Sequence, residues 1–89
     1  MEETTSELAR ETIFEVIQNQ IRDKDPQITK ITYDRLILDG HSHENTMELL
    51  GSVMSAELFE MLKNSELYNE ERYAMNLNRL PDMPWDDKK

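Results

Sequence analysis

The chain has 89 residues, with 19 Asp and Glu against 10 Lys and Arg, a formal net charge of −9 and no cysteine. This length predicts a single domain over residues 1–89 with a thin core, and the absence of cysteine excludes disulfides, thiolate zinc sites and cysteine nucleophiles. The acidic excess argues against nucleic-acid binding, which requires a basic surface.

The sequence has no pattern typical of export or membrane insertion. Residues 1–7 contain neither a basic flank nor an apolar stretch, so we expect no signal peptide. The longest apolar run, Leu36–Leu38, is far too short to span a bilayer. We therefore expect a cytoplasmic protein with neither a membrane nor a nucleic acid as its partner.

Apolar residues at three- and four-residue steps predict a first helix over residues 6–24. Its apolar positions are Leu8, Ile13, Phe14, Val16, Ile17 and Ile21. Its candidate N-caps are Thr4, Thr5 and Ser6. Asp25-Pro26 should end it, because a residue before proline is disfavoured in the helical conformation.

The next segment, residues 28–39, fits two patterns. Residues 28–33 alternate and are β-branched, which is typical of a strand. However, no second strand-like segment is present to pair with it, and Asp39-Gly40 is typical of a helix end. We predict a helix that docks through Ile31, Leu36 and Leu38, with Tyr33 at its edge.

Ser42 is the candidate N-cap of a third helix over residues 43–64, which is apolar around much of its circumference. A helix of this kind belongs in the centre of the fold. Its middle carries small residues, where another helix could approach closely, either within the monomer or across a dimer. These residues are Gly51, Ser52, Ser55 and Ala56.

Asn69 is the candidate N-cap of a fourth helix over residues 70–80, which Pro81 should end. Tyr73, Leu77 and Leu80 form its inner stripe. Residues 81–89 are too rich in proline and charge to be regular. The predicted fold class is thus all-α, a four-helix array in which helices one and four pack against a central helix three.

A set of short motifs covers a little over half of the chain. It consists of Arg35-Leu36, Asp39-Gly40, Ser42-His43-Glu44, residues 57–60, residues 69–73 and residues 77–81. This pattern, over about residues 33–81, resembles a family of small bacterial all-helical domains to which no reaction is assigned. The resemblance implies a helical fold and a bacterial origin, and it implies no catalytic residue.

His41 and His43 are the strongest candidate metal ligands. Two imidazoles that flank a turn can share a metal ion, and Glu44 or Glu48 could add a carboxylate, a ligand set that suits zinc, nickel or iron. The alternative is a polar turn with solvated histidines. The chain has no third histidine, so a closed site would need further carboxylates or a second protomer.

Paired carboxylates are frequent in so acidic a chain and arise from composition alone. Among them, Glu57 and Glu60 share a face of the third helix and are the pair best placed to meet a pocket. General acid–base catalysis needs two carboxylates in different environments within a cleft. No catalytic residue is predicted.

Three methionines at seven-residue spacing, Met47, Met54 and Met61, lie along one side of the third helix. Methionine is flexible and lines both cores and partner-binding surfaces, so both interpretations stay open. Phe59 and Trp85 are further candidates for contact with a partner, although Trp85 could instead fold back onto the helices.

These features favour a non-enzymatic helical protein-interaction domain, a homodimer that uses helices one and three, with no cofactor. One alternative is a metal-binding protein or metal-dependent enzyme that uses His41 and His43 with a divalent metal ion. A second is an acidic inhibitor of a basic partner, because the acidic residues are spread over several helices.

Overall fold

The structure is a computed structural model that describes the backbone of residues 2–85 and the side chains of residues 9–85. It contains four helices: α1 (Glu2–Asp23), α2 (Gln27–Leu38), α3 (His43–Asn64) and α4 (Glu70–Arg79). No strand is present in this part of the chain. The all-α prediction is confirmed, and residues 28–33 are helical.

Helix α1 begins earlier than the sequence predicted. Its first residue is Glu2, so Thr4, Thr5 and Ser6 lie inside the helix, and the predicted start near residue 6 is wrong. Ser and Thr are tolerated in helix interiors, so their presence does not by itself set a helix start. The side chains of these residues and of Leu8 lie outside the described residues.

The caps of the later helices form as predicted. The Ser42 side chain accepts a hydrogen bond from the backbone N–H of Asn45 at 3.0 Å, and the Asn69 side chain accepts from that of Arg72 at 3.0 Å. At the end of α2, Gly40 has φ +104°. Its conformation lets the N–H of His41 bond to the carbonyl of Leu36 at 3.1 Å.

The core lies where the four helices meet, and α3 supplies half of its fully buried apolar residues. These core residues are Ile17, Leu36, Met47, Leu49, Leu50, Val53, Met54, Tyr73, Leu77 and Leu80. Helices α1 and α4 both pack against α3, as predicted. Helix α2 also packs against all three other helices, so it shares the central position.

Helix α2 docks through a different face from the predicted one. Leu36 is fully buried, but Ile31 and Leu38 are 57% and 87% exposed. Five and two residues separate them from Leu36, which places them about 140° and 160° around the helix from it. The inner face instead carries Thr29 and Thr32 beside Leu36, because these positions follow the three- and four-residue helical spacing.

Three buried threonines differ in their hydrogen bonding. The Thr29 hydroxyl donates to Gln20 Oε1 at 2.7 Å, and the Tyr73 hydroxyl donates to the same oxygen at 3.2 Å. Burial raises the pKa of Tyr73 to about 12, so its hydroxyl keeps the proton that it donates. The hydroxyls of Thr32 and Thr46 are buried without a hydrogen-bond partner among the described residues.

We expect valine to have opposite effects at these positions. Thr32→Val and Thr46→Val remove a buried, unpaired hydroxyl while keeping the side-chain shape, so each should raise the free energy of unfolding by about 1 kcal/mol. Thr29→Val removes a bonded hydroxyl and should lower it by about 1 kcal/mol. Urea denaturation measures all three, and equal destabilisation by all three would contradict the assignment.

Gly40 provides a second test, of the turn between α2 and α3. A side chain at Gly40 meets no neighbouring atom, so Gly40→Ala reports only the strain of its positive φ. We expect a loss of about 1 kcal/mol, which lowers the melting temperature by roughly 4–8 °C in a domain of this size. Asp39→Ala, at an ordinary φ of −77°, is the matched control and should change stability much less.

Candidate interaction surface

The two histidines of the predicted metal site bond to different neutral partners. His43 Nδ1 lies 2.7 Å from the Tyr33 hydroxyl, and the two rings pack edge to face with centroids 5.8 Å apart. His41 Nδ1 lies 2.9 Å from the side-chain nitrogen of Asn45. Glu44, the third predicted ligand, is exposed in the first turn of α3.

Within residues 9–85, no three His, Asp or Glu side chains come close enough together to hold a metal ion. One ring nitrogen of each histidine already serves a contact that orders the turn between α2 and α3. The metal hypothesis therefore gains no support from the geometry and stays a prediction.

The two carboxylates of the candidate pair, Glu57 and Glu60, have different partners. Glu57 is 1% exposed, and its two oxygens accept from Arg72 Nε at 2.8 Å and Nη2 at 2.9 Å. The backbone N–H of Asn69 donates to Glu57 Oε2 at 2.9 Å. Glu60 instead accepts from the side chain of Asn64 at 3.0 Å.

These contacts make Glu57 a structural group rather than a proton donor. The hydrogen bonds from Arg72 lower the pKa of its carboxyl, and the N–H of Asn69 adds to this effect, while burial acts in the opposite direction. Glu57 therefore stays ionised at neutral pH. The sequence analysis did not identify Arg72 as its partner. The inward position of Glu57 could have been found, because Glu57 follows Val53 by four residues and Leu50 by seven, and both are inward positions of α3.

The methionines divide between core and surface. Met47 and Met54 are 2% and 9% exposed and belong to the core, while Met61 is half-buried. Seven-residue spacing keeps all three on the inward side of α3, where the other helices cover the first two. Of the five residues predicted to contact a partner, Met61 is thus partly accessible, and Phe59 and Trp85 are exposed.

Several apolar side chains are exposed to solvent along the C-terminal half of α3. Leu58, Phe59 and Leu62 are 41%, 61% and 82% exposed, and Trp85 is 64% exposed. Adjacent exposed apolar groups of this size are typical of contact surfaces.

A first cleft, of about 380 Å³, lies between α1 and α3. Ile13 and Phe14 of α1 form one wall, and Gly51, Ser52 and Ser55 line the α3 side. A Cβ atom at Gly51 would lie 3.1 Å from the Phe14 ring. The glycine thus permits the close approach of α1 within the monomer, and the remaining small residues leave space in the cleft.

A second cleft, of about 430 Å³, continues along α3 towards its C-terminus. Ala56, Phe59 and Glu60 line it on the α3 side. Ser55 and Trp85 line both clefts, so the chain after α4 returns to α3 and places the indole between them. We call the two clefts with Trp85 between them the Trp85 face.

The charges at the Trp85 face balance one another. At the first cleft, Arg10 forms an ion pair with Glu48 and also lies 4.7 Å from the centre of the Phe14 ring. At the second cleft, Glu60 lines the wall and Lys63 Nζ lies 5.7 Å from the centre of the Phe59 ring. Among the described residues, the charged groups in these contacts are thus two acids and two bases, on a chain with a net charge of −9.

None of the described helices has the length and apolar content needed to cross a membrane. Comparison with protein-family models, with curated proteins and with solved structures gives no match to this chain. The contacts and exposed surfaces of the molecule itself are therefore the basis for inferring its function.

We expect Glu57→Gln to lower the free energy of unfolding by about 2 kcal/mol, because Arg72 loses its buried charged partner and keeps only the exposed carboxylate of Glu66. Glu60→Gln is the matched control, since its amide oxygen can still accept from Asn64, and it should change stability by less than about 0.5 kcal/mol. Urea denaturation checks both, and similar losses in the two variants would contradict a special role for Glu57.

The same pair predicts a dependence on pH. The pKa of Glu57 lies below its ordinary value of 4.5 in the folded chain, so the unfolded chain binds the proton first as the pH falls. The contribution of Glu57 to stability is thus complete above that ordinary value and is lost as the pH falls through the lowered pKa. Between about pH 6 and pH 3, stability should fall less steeply in Glu57→Gln than in the unmodified protein.

Proposed function

We propose that this chain is a non-enzymatic, cytoplasmic protein-interaction domain that associates with a second copy of itself as a homodimer. The observation that supports this proposal is the group of exposed apolar side chains on α3, Leu58, Phe59 and Leu62, together with the exposed indole of Trp85, which shares a cleft with Phe59. Contact with a partner would remove their apolar surface from water.

The size of the domain supports the same proposal. A chain of 89 residues buries a smaller fraction of its surface than a larger domain does, so association adds apolar burial that its own core does not supply.

The charge distribution favours a second copy at the Trp85 face over a basic partner. Two copies of a chain with a net charge of −9 repel one another least where their surfaces are neutral. A basic partner would gain most from the acidic surfaces elsewhere, and such contacts weaken as salt rises. Association through the apolar Trp85 face should persist at high salt.

Size-exclusion chromatography with light scattering tests the proposal on the full chain. We expect twice the monomer mass of 10.6 kDa at high micromolar concentration, at both low and high salt. Phe59→Glu places a charge in the contact and should give the 10.6 kDa monomer. Leu38→Glu is the matched control, because Leu38 is 87% exposed at the end of α2, and this variant should remain dimeric.

A monomer for the unmodified chain under these conditions would overturn the homodimer. A dimer for Phe59→Glu would show that the exposed side of α3 is not the surface through which the chain self-associates. Far-UV circular dichroism confirms that each variant is folded before its mass is interpreted.

A further inference from the structure

We propose that Asp39 is a site of spontaneous covalent modification, at which the bond between Asp39 and Gly40 converts to an isoaspartyl bond. Asp39 is the only Asp or Asn of the chain that glycine follows. The pair lies at the turn between α2 and α3, directly after Leu38, the last residue of α2. The reaction has water as its only co-reactant, and it is independent of self-association.

The reaction begins with the amide nitrogen of Gly40, which attacks the side-chain carboxyl carbon of Asp39. A new C–N bond closes a five-membered succinimide ring, and the amide proton leaves as water with the hydroxyl of the protonated carboxyl group. Water then adds to one of the two ring carbonyls. Addition at the side-chain carbonyl restores aspartate, whereas addition at the main-chain carbonyl gives isoaspartate, in which the backbone runs through the former side chain.

The turn leaves room for this ring to form. Asp39 and Gly40 are both exposed, and a Cβ atom at Gly40 would meet no atom within 4 Å, so no neighbouring group obstructs the attack. The Asp39 carboxylate forms no hydrogen bond or ion pair with any other residue among residues 9–85. By contrast, the carboxylate of Asp34, inside α2, lies 2.6 Å from Lys30 Nζ.

The end of α2 must open before the attack can occur. The N–H of Gly40 donates to the carbonyl of Ile37 at 3.0 Å, and Asp39 has a helical ψ of −2°, which holds the amide nitrogen away from the side-chain carboxyl carbon. Helix ends fray, and such local openings cost far less than global unfolding. We therefore expect the modification to proceed through this turn while the core stays folded.

Isoaspartate would lengthen the backbone of the turn by one methylene group. The added carbon displaces Gly40 from the Ile37 carbonyl and His41 from the Leu36 carbonyl, which accepts from the N–H of His41 at 3.1 Å. The modified chain, separated by reversed-phase chromatography and refolded, should melt roughly 5–10 °C lower because it loses these two hydrogen bonds. An unchanged melting temperature would overturn this effect on the turn.

Mass spectrometry of peptides from the full chain tests the site. The protein is incubated at neutral pH in water enriched in heavy oxygen, so each passage through the ring adds one label, and electron-transfer fragmentation distinguishes isoaspartate from aspartate. We expect label and isoaspartate at Asp39 and neither at Asp34. Asp39→Glu is the matched control, because it keeps the charge but cannot close the five-membered ring, and position 39 should then stay unmodified.

The same measurement on folded and urea-unfolded protein tests the local opening. We expect isoaspartate to form at Asp39 about tenfold more slowly in the folded chain, because only the last turn of α2 has to open. A reaction that needs global unfolding would be slower by a factor of roughly a thousand or more. A ratio above about a hundredfold, or isoaspartate no more frequent at Asp39 than at Asp34, would overturn the proposal.

Discussion

The ion pair between Glu57 and Arg72 joins α4 to α3 and adds a polar attachment to the apolar contacts of the core. Helix α4 has only ten residues, too few for a helix to be stable in isolation. Arg72 fastens its first turn to α3, and the same carboxylate accepts from Asn69, whose side chain caps the helix. At the other end, Arg35 of α2 donates to the carbonyls of Leu77 and Leu80 at 3.1 and 3.0 Å, where the helix dipole favours a positive charge.

This attachment at both ends of α4 also shapes the candidate surface. Because the carbonyl of Leu80 is bound to α2, the chain leaves α4 at a defined position and returns to α3, where Trp85 lies between the two clefts. The Trp85 face therefore depends on polar contacts made by residues that do not line it. Loss of Glu57 or Arg35 would disturb the surface by releasing α4, without removing any residue from the surface itself.

Helix boundaries set by interactions between residues close together in the sequence were predictable. The boundaries of α2, α3 and α4 agree with the predicted ones to within a residue, because Gly40, Ser42 and Asn69 act on backbone groups close to them in sequence. The start of α1 was wrong, since threonine and serine occupy helix interiors as well as caps. One residue separates His41 from His43, yet their distinct partners, Asn45 and Tyr33, could not be deduced from this spacing.

The sequence by itself thus determined that this is an all-α chain with a broadly apolar third helix, because helical periodicity and capping are local properties. Tertiary structure alone decided which face of α2 turns inward. Thr29 and Thr32 are buried because the other helices cover that face, and their residue type does not predict this. It also decided that Glu57 pairs with Arg72, fifteen residues away, and that α1, α3 and Trp85 together line the first cleft. These outcomes depend on the relative positions of separate helices, which packing sets and local sequence does not encode.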